Sequence, residues 1–197
     1  MNSITSLLLL AAFAAGMPEP FGGGVWVVGE ARDALADQVS AFLQSHHEWA
    51  VEEADAVAAV VSAESTVANV DPSLILAVME VESGFEAAAV SPKGASGLLQ
   101  IRAETAAEVI SRHGLKDEDP GLLNVRAAIR YLGSLQDRFR SRDLALMAYN
   151  VGPGRVFEAI RKHELAELAW YPRKVVKAER RLKAVLDAAP VWEASGE

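Results

Sequence analysis

From about residue 30 onward, apolar side chains recur at intervals of three and four. No stretch sustains the alternation of apolar and polar residues that a half-buried strand needs. Leu35, Val39, Phe42 and Leu43 make one stripe, Val57, Val60 and Val61 a second, and Ile129, Leu132, Leu135 and Phe139 a third. This periodicity restricts the chain to a mainly α fold with little or no β-structure. At 197 residues, 51% of them apolar, the chain is long enough to bury a core without staples. It contains no cysteine, which rules out disulfides, thiol nucleophiles and cysteine zinc sites.

The breaks between helices divide the chain. Ser6 to Ala15 is an apolar run of signal-sequence length ending in a small-x-small site, Ala12-Phe13-Ala14, so residues 1–16 read as a signal peptide and the protein as exported to the periplasm or cell envelope. Residues 17–29, with Pro18, Pro20 and Gly22-Gly23-Gly24, read as a linker. Residues 30–68 form an acidic segment of two helices, and 69–190 the main domain. Asp71, Pro72 and Gly84 mark the start and stop of a helix over Pro72–Ser83. A loop follows at Ser91-Pro92-Lys93-Gly94, then a helix from about Thr105 to Arg112 stopped by Gly114, and a turn at Asp119-Pro120-Gly121. Asn124 and Asp143 are placed to cap the next two helices, Gly152-Pro153-Gly154 breaks the second of these, and the last helix runs from about Pro172 to Ala188.

The net charge of -8 is unevenly distributed: residues 1–95 hold thirteen acids against two bases, and the remainder seventeen bases against fourteen acids. Overall acidity argues against a nucleic-acid binder that relies on counterion release. An anionic polymer would have to be gripped by local chemistry, not by bulk attraction. The acidic 30–68 segment offers a surface for a cell-envelope assembly partner.

One acid is out of place. On the helix Pro72–Ser83, Ile75 and Glu82 fall about 20° apart, with Val78 and Met79 flanking at about 60° and 40°. Glu82 thus continues an apolar stripe, while Glu80 should be solvated. A carboxylate in low dielectric pairs or takes up a proton, and a raised pKa is what a general acid near neutral pH requires. The bland reading is a helix-end carboxylate that reaches water or pairs with Lys93 or an arginine. Other chemistries are thinner. His47-Glu48 lacks the second histidine of a zinc-protease motif, since position 51 is Val51, and the acids near His46 and His47 read as a solvated face, so no metal site is expected. Trp26, Trp49, Trp170 and Trp192 are too scattered for a stacking platform and read as core or rim.

Three blocks occur in order: Glu82-Ser83-Gly84-Phe85, then Ser91-Pro92-x-Gly94-Ala95-x-Gly97-Leu98-x-Gln100, then Ala148-Tyr149-Asn150-x-Gly152, with Asn124-Val125 and Tyr131-Leu132 between the last two. Together they resemble the lytic transglycosylase domain of the soluble lytic murein transglycosylase type, related in fold to goose-type lysozyme, over about residues 69–160. The resemblance implies a lysozyme-like fold and an enzyme cutting the glycan strands of peptidoglycan. It implies Glu82 as the single catalytic acid/base, and Ser83, Ser91, Gln100, Tyr149 and Asn150 as substrate-binding residues. Glu167 and Tyr171 keep the spacing of a weaker Glu-x-x-x-Tyr element. No cofactor or metal is implied. Leu99 and Arg102-Ala103 depart from the family's usual Met and Met-Pro; Leu99 preserves an apolar contact, whereas Arg102 changes the cleft wall. Competing readings are a hydrolase of the same bond, with Glu86 or Glu104 as a second carboxylate, and a non-cleaving wall-binding scaffold of a secretion or pilus system.

Overall fold

The computed structural model describes residues 33–188; the expected signal peptide, the linker with its glycine run, Trp26 and Trp192 lie outside the described residues. Two helices fill the acidic segment, α1 (Ala34–His47) and α2 (Val51–Ala68). They bury the stripes read from the sequence: Val39, Leu43, Val60 and Val61 are all at most 2% exposed. The acids Asp37, Glu52, Glu53 and Asp55 face solvent. Asp33 caps α1 by accepting from the Leu35 and Ala36 amides at 3.2 Å.

The third helix, α3 (Pro72–Ser83), is the centre of the fold. Asp71 accepts from the Ser73 amide at 2.8 Å, and Gly84 closes the helix at φ 62°, a left-handed geometry that glycine adopts without a Cβ clash. Every residue from Leu74 to Met79 is at most 1% exposed. The helix is therefore buried all round, not along one stripe, and only its last turn leaves the core. Glu80 is not solvated as expected: it is half-buried and ion-paired with Arg181, because the final helix runs alongside.

After α3 the chain forms a small antiparallel hairpin, β1 (Ala95–Ser96) and β2 (Ile101–Arg102), with Ala95 opposite Arg102. It then continues through α4 (Ala103–His113), α5 (Pro120–Phe139), α6 (Arg142–Val151), α7 (Pro153–Lys162), α8 (Leu165–Leu168) and α9 (Trp170–Ala188). A mainly α fold with minimal β-structure is what the periodicity required. Two caps differ from expectation. Asp119 caps α5, accepting from Gly121 and Leu122 at 2.6 and 3.1 Å, and Asn124 lies a turn inside the helix. Ser141 caps α6, which puts Asp143 in the first turn, where a negative charge suits the helix dipole. In both cases an Asp or Ser stood a few residues earlier, and the cap falls where the chain turns.

Charged and close-packed contacts fix how the helices sit. Glu64 of α2, 5% exposed, is paired with Arg126 at 2.9 Å and also with Arg130, both on α5. Where the same two helices converge, a Cβ on Gly133 would lie 2.7 Å from the Ala68 carbonyl oxygen, so only glycine permits the approach. On α9, Glu179 is 7% exposed and accepts from Ser73 of α3 at 3.2 Å and Arg142 of α6 at 2.5 Å. Helices α3, α6 and α9 are thereby tied together at the start of α3.

Candidate active site

The carboxyl of Glu82 opens onto a cleft of about 740 Å³, built from the Ser91–Thr105 loop and hairpin, the α6–α7 junction and the start of α9. Glu82 is the only carboxylate lining it among the described residues. Burial raises its pKa above the usual 4.5; a hydrogen bond from Tyr171 and the charge of Lys174 oppose that rise without cancelling it. Tyr171, 1% exposed on α9, donates its hydroxyl to Glu82 Oε1 at 2.5 Å. Burial and the neighbouring Glu82 hold the Tyr171 hydroxyl well above the ordinary tyrosine range, so it remains a donor. Neither Lys93 nor an arginine takes the carboxylate: the partner is a neutral phenol. The arrangement favours the protonated acid more than water does and keeps one carboxyl oxygen oriented at the cleft.

The sequence-marked residues fall into three groups. Ser91, Gln100, Tyr149 and Asn150 line the cleft with Glu82. Ser91 Oγ accepts from the Ala95 amide at 3.0 Å, fixing the turn before the hairpin. Gln100 adopts φ 48° and gives its side-chain NH2 to the Ala89 and Gly97 carbonyls, both at 2.9 Å; its amide oxygen is what remains for a ligand. Tyr149 donates to the Leu99 carbonyl at 2.7 Å, and its hydroxyl pKa is raised well above the ordinary value by burial and by Glu82. Leu99 thus contributes a backbone acceptor as well as a buried side chain.

The other groups do not line the cleft. The Ser83 hydroxyl faces the Met79 and Leu98 carbonyls at 3.0 and 2.8 Å, tying the end of α3 to the loop carrying Leu98. Glu167 is exposed and pairs with Arg155 at 3.5 Å. Glu86 and Glu104 are exposed and line no part of the cleft. Tyr171 acts through Glu82.

Several lining residues were not assigned to the site from the sequence, Trp170 being read as core or rim and Lys93 as a candidate ion partner of Glu82. Trp170, 53% exposed, lies at the cleft with its ring edge-on to Tyr171 at 5.6 Å between centroids. Tyr131 packs on Tyr149 at 5.7 Å, and Lys93 and Thr105 also line the wall. A tryptophan directly before Tyr171 of the Glu-x-x-x-Tyr element was the available signal for the first. Below the loop, Gly97 has φ 77° and a Cβ there would lie 2.8 Å from Asn124 Oδ1, so the glycine spacing of the second block serves both a turn and a close approach to α5.

Known proteins share this framework. The transglycosylase SLT domain matches residues 59–168, more than half of the chain. Soluble lytic murein transglycosylase of Salmonella typhimurium is 35% identical over 95 residues, covering 45% of this chain and 15% of that protein. Membrane-bound lytic murein transglycosylase C of Actinobacillus pleuropneumoniae is 35% identical over 105 residues, covering 46% of this chain and 29% of its own length. The matched part is therefore under a third of either relative. Among solved structures, an inactive Glu-to-Gln mutant of lytic transglycosylase Slt from Pseudomonas aeruginosa superposes with TM-score 0.59 at 25% identity, over 75% of this chain and 25% of that one. The helical frame, the order of the three blocks and the family match converge: the chain belongs to the transglycosylase SLT domain family.

Proposed function

We propose that this protein is a lytic transglycosylase of peptidoglycan that cleaves the β-1,4 bond between N-acetylmuramic acid and N-acetylglucosamine and leaves 1,6-anhydromuramic ends. The observation that carries the reading is a lone cleft carboxyl, Glu82, with its pKa raised by burial and oriented by Tyr171. Protonated Glu82 gives its proton to the glycosidic oxygen as the bond to C1 breaks. The acetamido group of the substrate stabilises the positive charge at C1. Glu82, now a carboxylate, takes the proton from the C6 hydroxyl of the muramic sugar, and that oxygen closes onto C1. Proton and bonds balance without water, and Glu82 ends as it began.

Two-carboxylate glycosidases place a second acid near the scissile bond to act as nucleophile or to activate water. Glu82 is the only carboxylate lining this cleft among the described residues, which favours the intramolecular route over hydrolysis. Ser91, Gln100, Tyr149 and Asn150 would position the sugars. The family relationship and the apolar Ser6–Ala15 run support export to the periplasm or cell envelope. Mass spectrometry of the muropeptides released from purified sacculi tests the route: anhydro ends, lighter by one water than hydrolytic ends, are expected. Reducing ends alone would turn the reading to a hydrolase, and binding without release would turn it to a scaffold.

A further inference from the structure

Charge inside the cleft runs against the charge of the molecule. The chain carries a net -8, and within residues 1–95 the only bases are Arg32 and Lys93. Lys93 nevertheless lines the cleft, together with Arg102. Arg112, Arg126, Arg130, Arg142, Arg155 and Arg181 are each held by a carboxylate. Lys93 and Arg102 have no carboxylate within 4 Å among the described residues. The hairpin puts both residues on the same wall: Arg102 sits opposite Ala95, and its Nη2 donates to the Lys93 backbone carbonyl at 3.4 Å.

Two cations lining one cleft with no carboxylate paired to either favour the entry of an anion. They are also kept apart from the acid: the cation that acts on Glu82 is Lys174, on α9, and neither Lys93 nor Arg102 contributes. The wall can therefore attract an anion without pulling Glu82 toward its ionised form.

We infer that Lys93 and Arg102 form a carboxylate-binding wall beside the acid, which selects glycans bearing free carboxylates over neutral ones. This rests on the glycan reading of the cleft and adds a substrate preference to it. The carboxylate has two sources in peptidoglycan: the lactyl group of a muramic sugar stripped of its peptide, or the residues of an intact stem peptide.

Calorimetric binding to the full chain carrying Glu82→Gln separates the possibilities without turnover. The probes are a neutral N-acetylglucosamine oligosaccharide, a peptide-free glycan with free lactyl carboxylates, and a stem-bearing glycan. A carboxylate-bearing probe is expected to bind about tenfold more tightly than the neutral one, as charge-assisted hydrogen bonds from two cations allow. The preference should shrink with added salt. The probe that benefits identifies the source. Adding Lys93→Gln and Arg102→Gln should weaken the carboxylate probe about tenfold more than the neutral one. Equal affinity for all three probes, or equal weakening of neutral and charged probes, overturns the wall. Loss of cleavage is not read here, so an inactive wild-type protein would undo the lyase assignment while leaving this preference standing or falling on its own measurement. Failure of all three probes to bind would overturn both.

Discussion

Glu82 is held between opposing influences: burial, which favours the proton, and Tyr171 with Lys174, which favour the charge. Burial prevails, and the sign has consequences for stability. A carboxyl whose folded pKa lies above its unfolded value stabilises the fold fully below the unfolded value, and that contribution is lost as pH rises through the folded one. Glu82→Gln keeps an acceptor for Tyr171 and removes the ionisation. Its melting temperature should therefore match wild type near about pH 4 and exceed it by about pH 7. A gain that is largest in acid would contradict the burial argument. Tyr171→Phe removes a donor that favours the charged form, so a carboxyl-carbon NMR titration should place the Glu82 pKa higher than in wild type; a lower value would mean Tyr171 does not stabilise the carboxylate. The sequence made Glu82 legible because an acid on an apolar helix is conspicuous. It left the hydroxyl partner nearly invisible, since Tyr171 lies 89 residues away and only the weak Glu-x-x-x-Tyr spacing pointed to it. The same spacing also pointed to Glu167, which pairs with Arg155 at the surface, because Glu167 belongs to α8 and Tyr171 to α9 and the break between the two helices removes the shared side that a four-residue offset implies.

Between helices, the tightest constraint is the approach of α2 to α5. Gly133→Ala puts a methyl group against the backbone oxygen of Ala68, an atom that cannot rotate away. A loss of about 1–3 kcal/mol in urea unfolding is expected, the usual range for overpacking; an unchanged midpoint would show that the helices can separate freely. Glu64 serves the same contact, and the sequence concealed its role because its arginines lie 62 and 66 residues further on. Helix existence was legible from period and punctuation, as Asp71, Pro72 and Gly84 illustrate. Exact starts were less so. Asp119 and Asn124 are both good capping residues, and which one caps depends on where tertiary packing begins the helix.

For the molecule as a whole, the acidic N-terminal helices share the core of the rest. Val57, Val60 and Val61 belong to the same buried cluster as α3 and α5, and His47 packs on Phe85 at 4.3 Å between ring centroids. The sequence puts a boundary near residue 69, where the acidic segment ends and the helix marked by Asp71, Pro72 and Gly84 begins, and the buried core runs across it. A chain beginning at Val70 is expected to lose cooperative urea unfolding by circular dichroism; a retained sharp transition would show that residues 69–190 stand alone. The fold's purpose, on this reading, is to bring one half-buried acid from the end of a central helix to the floor of a sugar cleft. The direct test is digestion of purified sacculi by wild type and by Glu82→Gln, with released muropeptides counted. Positioned proton transfer contributes about 100- to 10,000-fold, so release by the variant should fall by at least the lower figure while the protein stays folded. Near-normal release would contradict the assignment of Glu82.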